Sequence, residues 1–247
     1  MTLHSDSRRG LPGHDRLPDL MPWADTGAAG KVRTYQKRQK AIAAKTAQND
    51  HIRATVLSVE NNHLHGELYV EALKARKRVF IDTKGWDLPQ TSGMEFDQYD
   101  TPQSRTVVLH EYGQVVAGIR LLPTTARCGC HTYMLKDAKD GIIDTIPPYI
   151  LYEDAPVSDW VWEASRLFIT PEVPANRRIR VQTRLMHEMA RTAVAEGATH
   201  VIGIVPYVFK RWLERLGMSA LPVGPRVTFD TDTSQAALMH VAKVGAM

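Results

Sequence analysis

The stretch RTVVLHEYGQVVAGIRLLPT, Arg105 to Thr124, decides how the rest of the chain is read. Two β-branched runs flank Tyr112, Gly113 and Gln114, the composition of a tight turn between antiparallel strands. Successive side chains of a strand point to opposite faces, so Val116, Gly118, Arg120 and Leu122 are expected on one side of the second strand. That places an arginine among apolar neighbours. A guanidinium buried without a partner is prohibitive, so an acid or an anionic ligand is expected opposite it.

The same conflict recurs on both sides of the hairpin. From Gly66 to Ile81, Tyr69, Leu73, Arg76 and Phe80 are spaced by four, three and four residues, which predicts one helical face with an arginine in its apolar stripe. Further on, DWVWEASRLFI (Asp159 to Ile169) predicts a strand with Val161, Glu163, Ser165, Leu167 and Ile169 on one side. Trp160, Trp162, Ala164, Arg166 and Phe168 take the other. Glu163 thus alternates with apolar residues, where burial would raise its pKa and suit it to accept a proton, and a structural pair with Arg120 is the rival account.

Between helix and hairpin lies FIDTKGWDLPQTSGMEFDQYD, Phe80 to Asp100. In a chain of net charge +4, it gathers Asp82, Asp87, Glu95, Asp97 and Asp100 around Trp86. Asp97 and Asp100 are expected to offset a small cationic ligand and to pair with the arginines. Solvated loop charge is a sufficient account of Asp82, Asp87 and Glu95.

Downstream, Ile179, Thr183, Met186, Ala190 and Ala193 trace a helix over residues 176–196 that Gly197 closes. THVIGIVP predicts a strand, YVFKRWLERLGM a helix, PRVTFD a last strand and QAALMHVAKV a short terminal helix. Hairpins followed by alternating strands and helices point to an α/β (α+β) layer with a mainly antiparallel sheet.

With 247 residues and 43% hydrophobic content, the chain can build a sizeable core. No segment approaches the ~18 to 20 consecutive apolar residues of a membrane span, and the N-terminus lacks the apolar core of a signal peptide. A cytoplasmic location is expected. Cys128 and Cys130 give no disulfide framework, and with His131 they lack the second cysteine pair of a tetrahedral zinc site. The loop's Asp-x-x-Asp lacks the spacing of a calcium-binding hand, so no metal is expected. Lys31, Arg33, Lys37, Arg38, Lys40 and Lys45 follow one another without an acid until Asp50. Residues 1–55 are therefore read as a basic extension and 56–247 as the domain that carries the chemistry.

The order hairpin, strand, long helix, strand and short helix resembles the GNAT acyltransferase fold, in which splayed central strands receive the pantetheine arm of an acyl thioester. The set RKRVF, GW, MEFDQYD, GIRLLPT and WEASRLFI, in that order, is more specific. It resembles the LuxI-type acyl-homoserine-lactone synthases, the autoinducer synthases, over roughly residues 60 to 225. Arg76, Phe80, Trp86, Asp97, Asp100, Arg120, Glu163, Ser165 and Arg166 occupy the family's motif positions.

The resemblance implies two substrates, S-adenosylmethionine and a fatty acyl thioester on acyl carrier protein or coenzyme A. It implies no cofactor, since S-adenosylmethionine is consumed. Amide formation and lactone closure would release methylthioadenosine. Arg76, Phe80, Trp86, Asp97, Asp100, Arg120 and Arg166 are then expected around S-adenosylmethionine, Glu163 as the base and Ser165 as a contact to the reacting thioester or amide. An oxyanion donor is expected near Leu167 to Ile169. Trp162, Phe168, Met186, Ile202, Gly203 and Ile204 are candidate walls of an acyl tunnel. In place of a glycine-rich phosphate loop the chain has PANRRIRVQTR, which leaves Arg177, Arg178, Arg180 and Arg184 to bind the carrier's phosphate by side chain. Two rivals stand beside this reading, a GNAT enzyme acylating another amine from acyl-CoA and a basic non-enzymatic module. Nucleic acid is not the expected partner.

Overall fold

The computed structural model describes residues 51–229 and 232–242. Its centre is a seven-stranded sheet in the order β1-β4-β5-β6-β7-β9-β8. These strands are β1 Arg53–Leu57, β4 Arg105–Glu111, β5 Gln114–Pro123, β6 Val161–Ile169, β7 His200–Pro206, β8 Ser219–Phe229 and β9 Asp232–His240. A separate two-stranded ribbon, β2 Gln90–Thr91 with β3 Met94–Glu95, lies in the acidic loop. Only β6 and β7 pair in parallel within the described sheet. β1 begins at Arg53, inside the segment read as extension, while residues 1–50, with the basic run, lie outside the described residues.

The β4–β5 hairpin turns as the sequence predicts. Tyr112 and Gly113 have φ of 50° and 85°, the two left-handed residues of a turn whose twist matches the strands. A helix α1, Leu68–Arg76, continues as a wider, π-wound turn over Lys77–Thr83. It packs its Ala72, Ala75, Val79 and Phe80 on Leu57, Val108, Val115 and Phe168. On the same face of the sheet lies the short helix α2, Met134–Lys139, whose Leu135 and Ala138 join Leu122, Val161, Ile202 and Ala236. The opposite face is covered by α3, Ala175–Ala195, through Val181, Leu185, Met186, Met189, Ala190 and Ala193. Leu213 of α4, Lys210–Arg215, extends that layer, and Gly217, at φ 82°, ends the turn.

Three expectations are corrected. The segment 235–244 is expected to be helical, yet residues up to His240 lie in β9 between β7 and β8. Both faces of β9 are covered, Ala236 and Leu238 on one and Ala237 and Met239 on the other, so its apolar run carries no alternation to distinguish strand from helix. Ile179 of the predicted α3 stripe is 56% exposed, and the buried face runs instead through Val181, Leu185 and Met189. In β5 the register shifts against Leu109 and His110, which moves Val116 to the α3 side, away from Arg120.

No helix among the described residues is long and apolar enough to cross a membrane. The sheet's important irregularity is at its centre. Parallel pairing of β6 with β7 stops at Ala164 opposite Gly203. Beyond that point β6 stays with β5 as far as Ile169, while β7 stays with β9 as far as Pro206. The two strands therefore part, and the backbone edges they turn toward each other leave the ladder. Gly203 sits at the root of this split. A Cβ there would lie 2.7 Å from the Ala164 carbonyl oxygen, so glycine permits the close approach from which the strands diverge.

Candidate active site

The site forms where α1, the acidic loop, β5 and β6 meet. Arg76 closes α1, with its guanidinium under the loop. Its Nε donates to Glu95 Oε2 at 2.5 Å, and its Nη1 and Nη2 donate to the two oxygens of Asp100 at 2.7 and 3.0 Å. Arg120, projecting from β5, donates from Nη1 and Nη2 to Asp97 at 2.5 and 3.2 Å and lies 3.0 Å from Asp100 Oδ1. Arg166 of β6 donates from Nε to Glu95 Oε1 at 3.1 Å and lies 2.8 Å from Asp97 Oδ2. Three cations and three anions thus share one cluster, and none of the six side chains is more than 9% exposed.

The loop is shaped to deliver the acids. Ser92 and Gly93, at φ 49° and 77°, turn the β2–β3 ribbon and bring Glu95 inward. Asp97 Oδ1 accepts the Tyr99 N–H at 2.9 Å and Asp100 Oδ2 accepts the Asp97 N–H at 2.9 Å, so the carboxylates also fold the loop that carries them. Burial would raise the Asp97 carboxyl, but Arg120, Arg166 and Arg76 outweigh it and hold the group well below the usual carboxylate range. Asp100 is likewise lowered, burial being overcome by Arg120 and Arg76.

β6 reaches the cluster by breaking its own alternation. Arg166 has a φ of 54°, and the register slips between Phe168 opposite Gly118 and Ser165 opposite Arg120. This bulge puts Arg166 beside Ser165, on the face that carries Glu163, and sends Leu167 and Ile169 to the α3 side, reversing the predicted faces beyond Ser165. Phe168 follows on the same face as Arg166, its ring 2.7 Å from where a Cβ on Gly118 would be and packed edge-on against Phe80 at 6.3 Å. Phe80 and Trp86 stack at 5.2 Å with 17° between planes, and the Arg166 guanidinium lies 5.8 Å from the Phe80 ring.

Glu163 is 1% exposed and is held by backbone, not by Arg120. Its Oε2 accepts the Met134 N–H at 3.0 Å and its Oε1 the Leu135 N–H at 2.7 Å. Burial pushes its carboxyl up to about 7, against the opposing pull of those two N–H groups and of Arg120. A carboxyl poised there accepts a proton near neutrality without a permanent ion pair to hold its charge. Ser165 Oγ accepts from Arg120 Nε at 3.1 Å, which orients the hydroxyl beside the cluster.

Several predicted residues stand apart from this centre. Trp162 and Met186 pack in the α3 layer, Ile202 and Ile204 in the α2 layer, and Phe168 against Phe80, while Gly203 faces the Ala164 backbone. The six expected tunnel walls are therefore divided among separate packing layers, because the sheet lies between them. Arg177 pairs with Glu111, Arg178 donates to the carbonyls of Ile169, Thr170 and Val173, and Arg184 pairs with Glu188 at 2.7 Å. The arginine row thus braces the start of α3, with Arg180 exposed on its surface. Asp97 and Asp100, expected to face a cationic ligand, are already matched by arginine. Asp82 pairs with Lys77 at 2.6 Å and Asp87 is exposed, as solvated loop charge.

Glu95 is the acid that periodicity misses. It is 0% exposed and bridges Arg76 to Arg166, and its only sequence signal is its place in MEFDQYD beside Asp97. Cys128 and Cys130 are free and exposed, and His131 Nδ1 faces Asp137 Oδ2 at 2.9 Å. Among the described residues no group of three or more histidine, cysteine or acidic side chains is placed to hold a metal ion.

The sequence model of the autoinducer synthase family matches residues 60–244. An acyl-homoserine-lactone synthase of Acinetobacter nosocomialis is 29% identical over 193 residues, covering 75% of this chain and 98% of that protein. The solved structure of TofI in a ternary complex with an inhibitor and MTA has a TM-score of 0.60 and 26% identity, covering 76% of this chain and 91% of that one. BjaI, a CoA-dependent acyl-homoserine lactone synthase solved with SAM and isopentyl-CoA, shares the fold at a TM-score of 0.62 and 20% identity, with 79% and 86% covered. The cluster, the split between β6 and β7 and the family match agree in extent, and the chain belongs to the autoinducer synthase family, the acyl-homoserine-lactone synthases.

Proposed function

We propose that the chain transfers a fatty acyl group from a thioester of coenzyme A or acyl carrier protein to the amine of S-adenosylmethionine and then closes the lactone. The observation that carries this reading is the convergence of Arg76, Arg120 and Arg166 with a buried Glu163 beside the parting of β6 and β7. Phe80 and Trp86 supply an aromatic surface suited to a sulfonium, a contact worth roughly 0.5 to 2 kcal/mol. Asp97, Asp100 and Glu95 hold the arginines in place, so the acidic loop serves the substrate through them.

Glu163 takes the proton from the amine, directly or across one water, as the nitrogen attacks the thioester carbonyl. The N–C bond forms, the C–S bond breaks and the thiol carrier leaves. Backbone N–H groups on the parted edges of β6 and β7 are suited to the oxyanion, where one donor is commonly worth about 100- to 1000-fold in rate. The substrate's own carboxylate oxygen then attacks its γ-carbon, the carbon–sulfonium bond breaks and methylthioadenosine departs. This step is intramolecular and asks only that the chain fold the substrate into an attacking geometry.

The test is mass spectrometry of reactions containing the purified protein, S-adenosylmethionine and a panel of acyl thioesters on both carriers. The expected result is one preferred acyl-homoserine lactone with an equal amount of methylthioadenosine. Acylation of a different amine without methylthioadenosine would overturn the reading and favour a general GNAT transferase.

A further inference from the structure

Asp137 is fully buried on α2 and takes no part in the steps above. Its Oδ1 accepts the Thr132 N–H at 3.0 Å and the Thr132 hydroxyl at 2.6 Å. Its Oδ2 accepts the Tyr99 hydroxyl at 2.9 Å and faces His131 Nδ1 at the same distance. Tyr99 belongs to the acidic loop, where its N–H is held by Asp97 and its ring lies 5.6 Å from the Arg120 guanidinium. Thr132 and His131 form the run into α2, whose leading N–H groups, of Met134 and Leu135, carry Glu163. One carboxyl therefore joins the loop that organises the arginines to the backbone that holds the acid.

We propose that Asp137 is a positioning residue for the reaction. By holding Tyr99, His131 and Thr132 together it fixes the Met134–Leu135 backbone against Glu163 and sets that carboxyl's place relative to Arg120. The proposal rests on the reading of Glu163 as the proton acceptor. Without Asp137 four groups on three residues, the Tyr99 hydroxyl, the Thr132 N–H and hydroxyl and His131 Nδ1, lose their partner at once, and the run into α2 is free to move. The two N–H groups then hold the Glu163 carboxylate less well, and its charged form loses support. The charged and titratable groups facing Glu163 are Arg120 from β5, Asp97 and Tyr99 from the loop and Tyr133 before α2, while Ile202 is its neighbour on β7.

The experiment compares full-length wild type with Asp137→Ala, Asp137→Asn and Tyr99→Phe. It reads the Glu163 carboxyl by carbon-13 NMR titration without substrate, and the pH dependence of kcat/KM for lactone formation. Asp137→Ala should move both the Glu163 titration and the ascending limb to higher pH by about half a unit or more and lower kcat about 10-fold. KM for S-adenosylmethionine should change little. Asp137→Asn should restore most of the activity, since the amide oxygen can keep Thr132 while its N–H₂ serves Tyr99 and His131 Nδ1. Tyr99→Phe, which removes one bond only, should shift Glu163 in the same direction by less. If Glu163 titrates unchanged in the folded Asp137→Ala and Tyr99→Phe proteins, or if the losses of Asp137→Ala and Glu163→Gln simply add, the proposal is overturned. Should Glu163→Gln instead keep the wild-type limb, the proton-acceptor reading falls by itself, and the NMR titration still decides whether Asp137 positions Glu163.

Discussion

Arg76 and Arg120 are each 1% exposed, a state that a guanidinium tolerates only with its partners in place. Glu95 accepts from the Nε of two of the cluster's arginines, so Glu95→Ala should leave both buried Nε–H groups without an acceptor, with Asp100 and Asp97 as the remaining partners, and cost about 1 to 3 kcal/mol in urea unfolding. A loss within about half a kcal/mol of wild type would mean that the cluster repacks to satisfy both Nε–H groups. Glu163 makes a prediction of opposite character. Its folded pKa is raised from 4.5 to about 7, so the folded state binds the extra proton, and wild-type stability declines as pH rises across that window. Glu163→Gln lacks this decline. Any stability deficit of the variant should therefore shrink between pH 5 and pH 7.5, by up to about 3 kcal/mol, when Tm is followed against pH. The arginines and Glu163 are legible in the sequence because each charge interrupts an apolar periodicity. Glu95 and Asp137 are not, since they sit in a loop and a short helix where no period exists to be interrupted.

At the scale of elements, β6 shows where simple alternation fails. Its period predicts Arg166 beside Trp162, and the left-handed backbone at Arg166 moves it to the other face, next to Ser165. A left-handed non-glycine residue is strained, and here paired carboxylates on Glu95 and Asp97 hold it in place. No residue type in WEASRLFI announces that bulge. The strand β9 departs from its expected helix for the complementary reason, because alanine, leucine and methionine favour helices and a strand covered on both faces shows no alternation. The predicted α1 and α3 are present because each has one buried face and one that reaches solvent, the condition under which a period is visible, whereas the hairpin, buried on both sides, is legible from its β-branched runs and its turn at Tyr112 and Gly113. The split between β6 and β7 has its own test. Gly203→Ala should force the strands apart at the Ala164 carbonyl and destabilise the protein by about 1 to 3 kcal/mol, with an unchanged urea m-value. Unchanged stability would show that the approach at the root of the split is not tight.

Across the whole domain, the sheet separates two jobs. The α3 side is an apolar layer, while the α1 and α2 side embeds the charged cluster between two further apolar groups, Leu57 to Phe168 and Leu122 to Ala236. The fold's integrity on that side therefore depends on ionisation. Asp97 and Asp100 have folded pKa values below the unfolded 3.8, so their stabilisation is present above that value and is lost as pH falls through the folded ones. Thermal unfolding between pH 5 and pH 2 should show Tm falling steeply below about 4, with less dependence on salt than surface pairs would give. The family's sequence motifs located this side of the sheet, yet its depth was invisible in them, because burial belongs to the packed layers and not to any one segment. The most direct measurement is a crystal structure with S-adenosylmethionine and an unreactive acyl-thioester analogue bound together. The S-adenosylmethionine amine should lie within one water of Glu163, its sulfonium against Phe80 and Trp86, and the thioester should enter where β6 and β7 part. S-adenosylmethionine bound away from that face, with Glu163 remote from the amine, would contradict it.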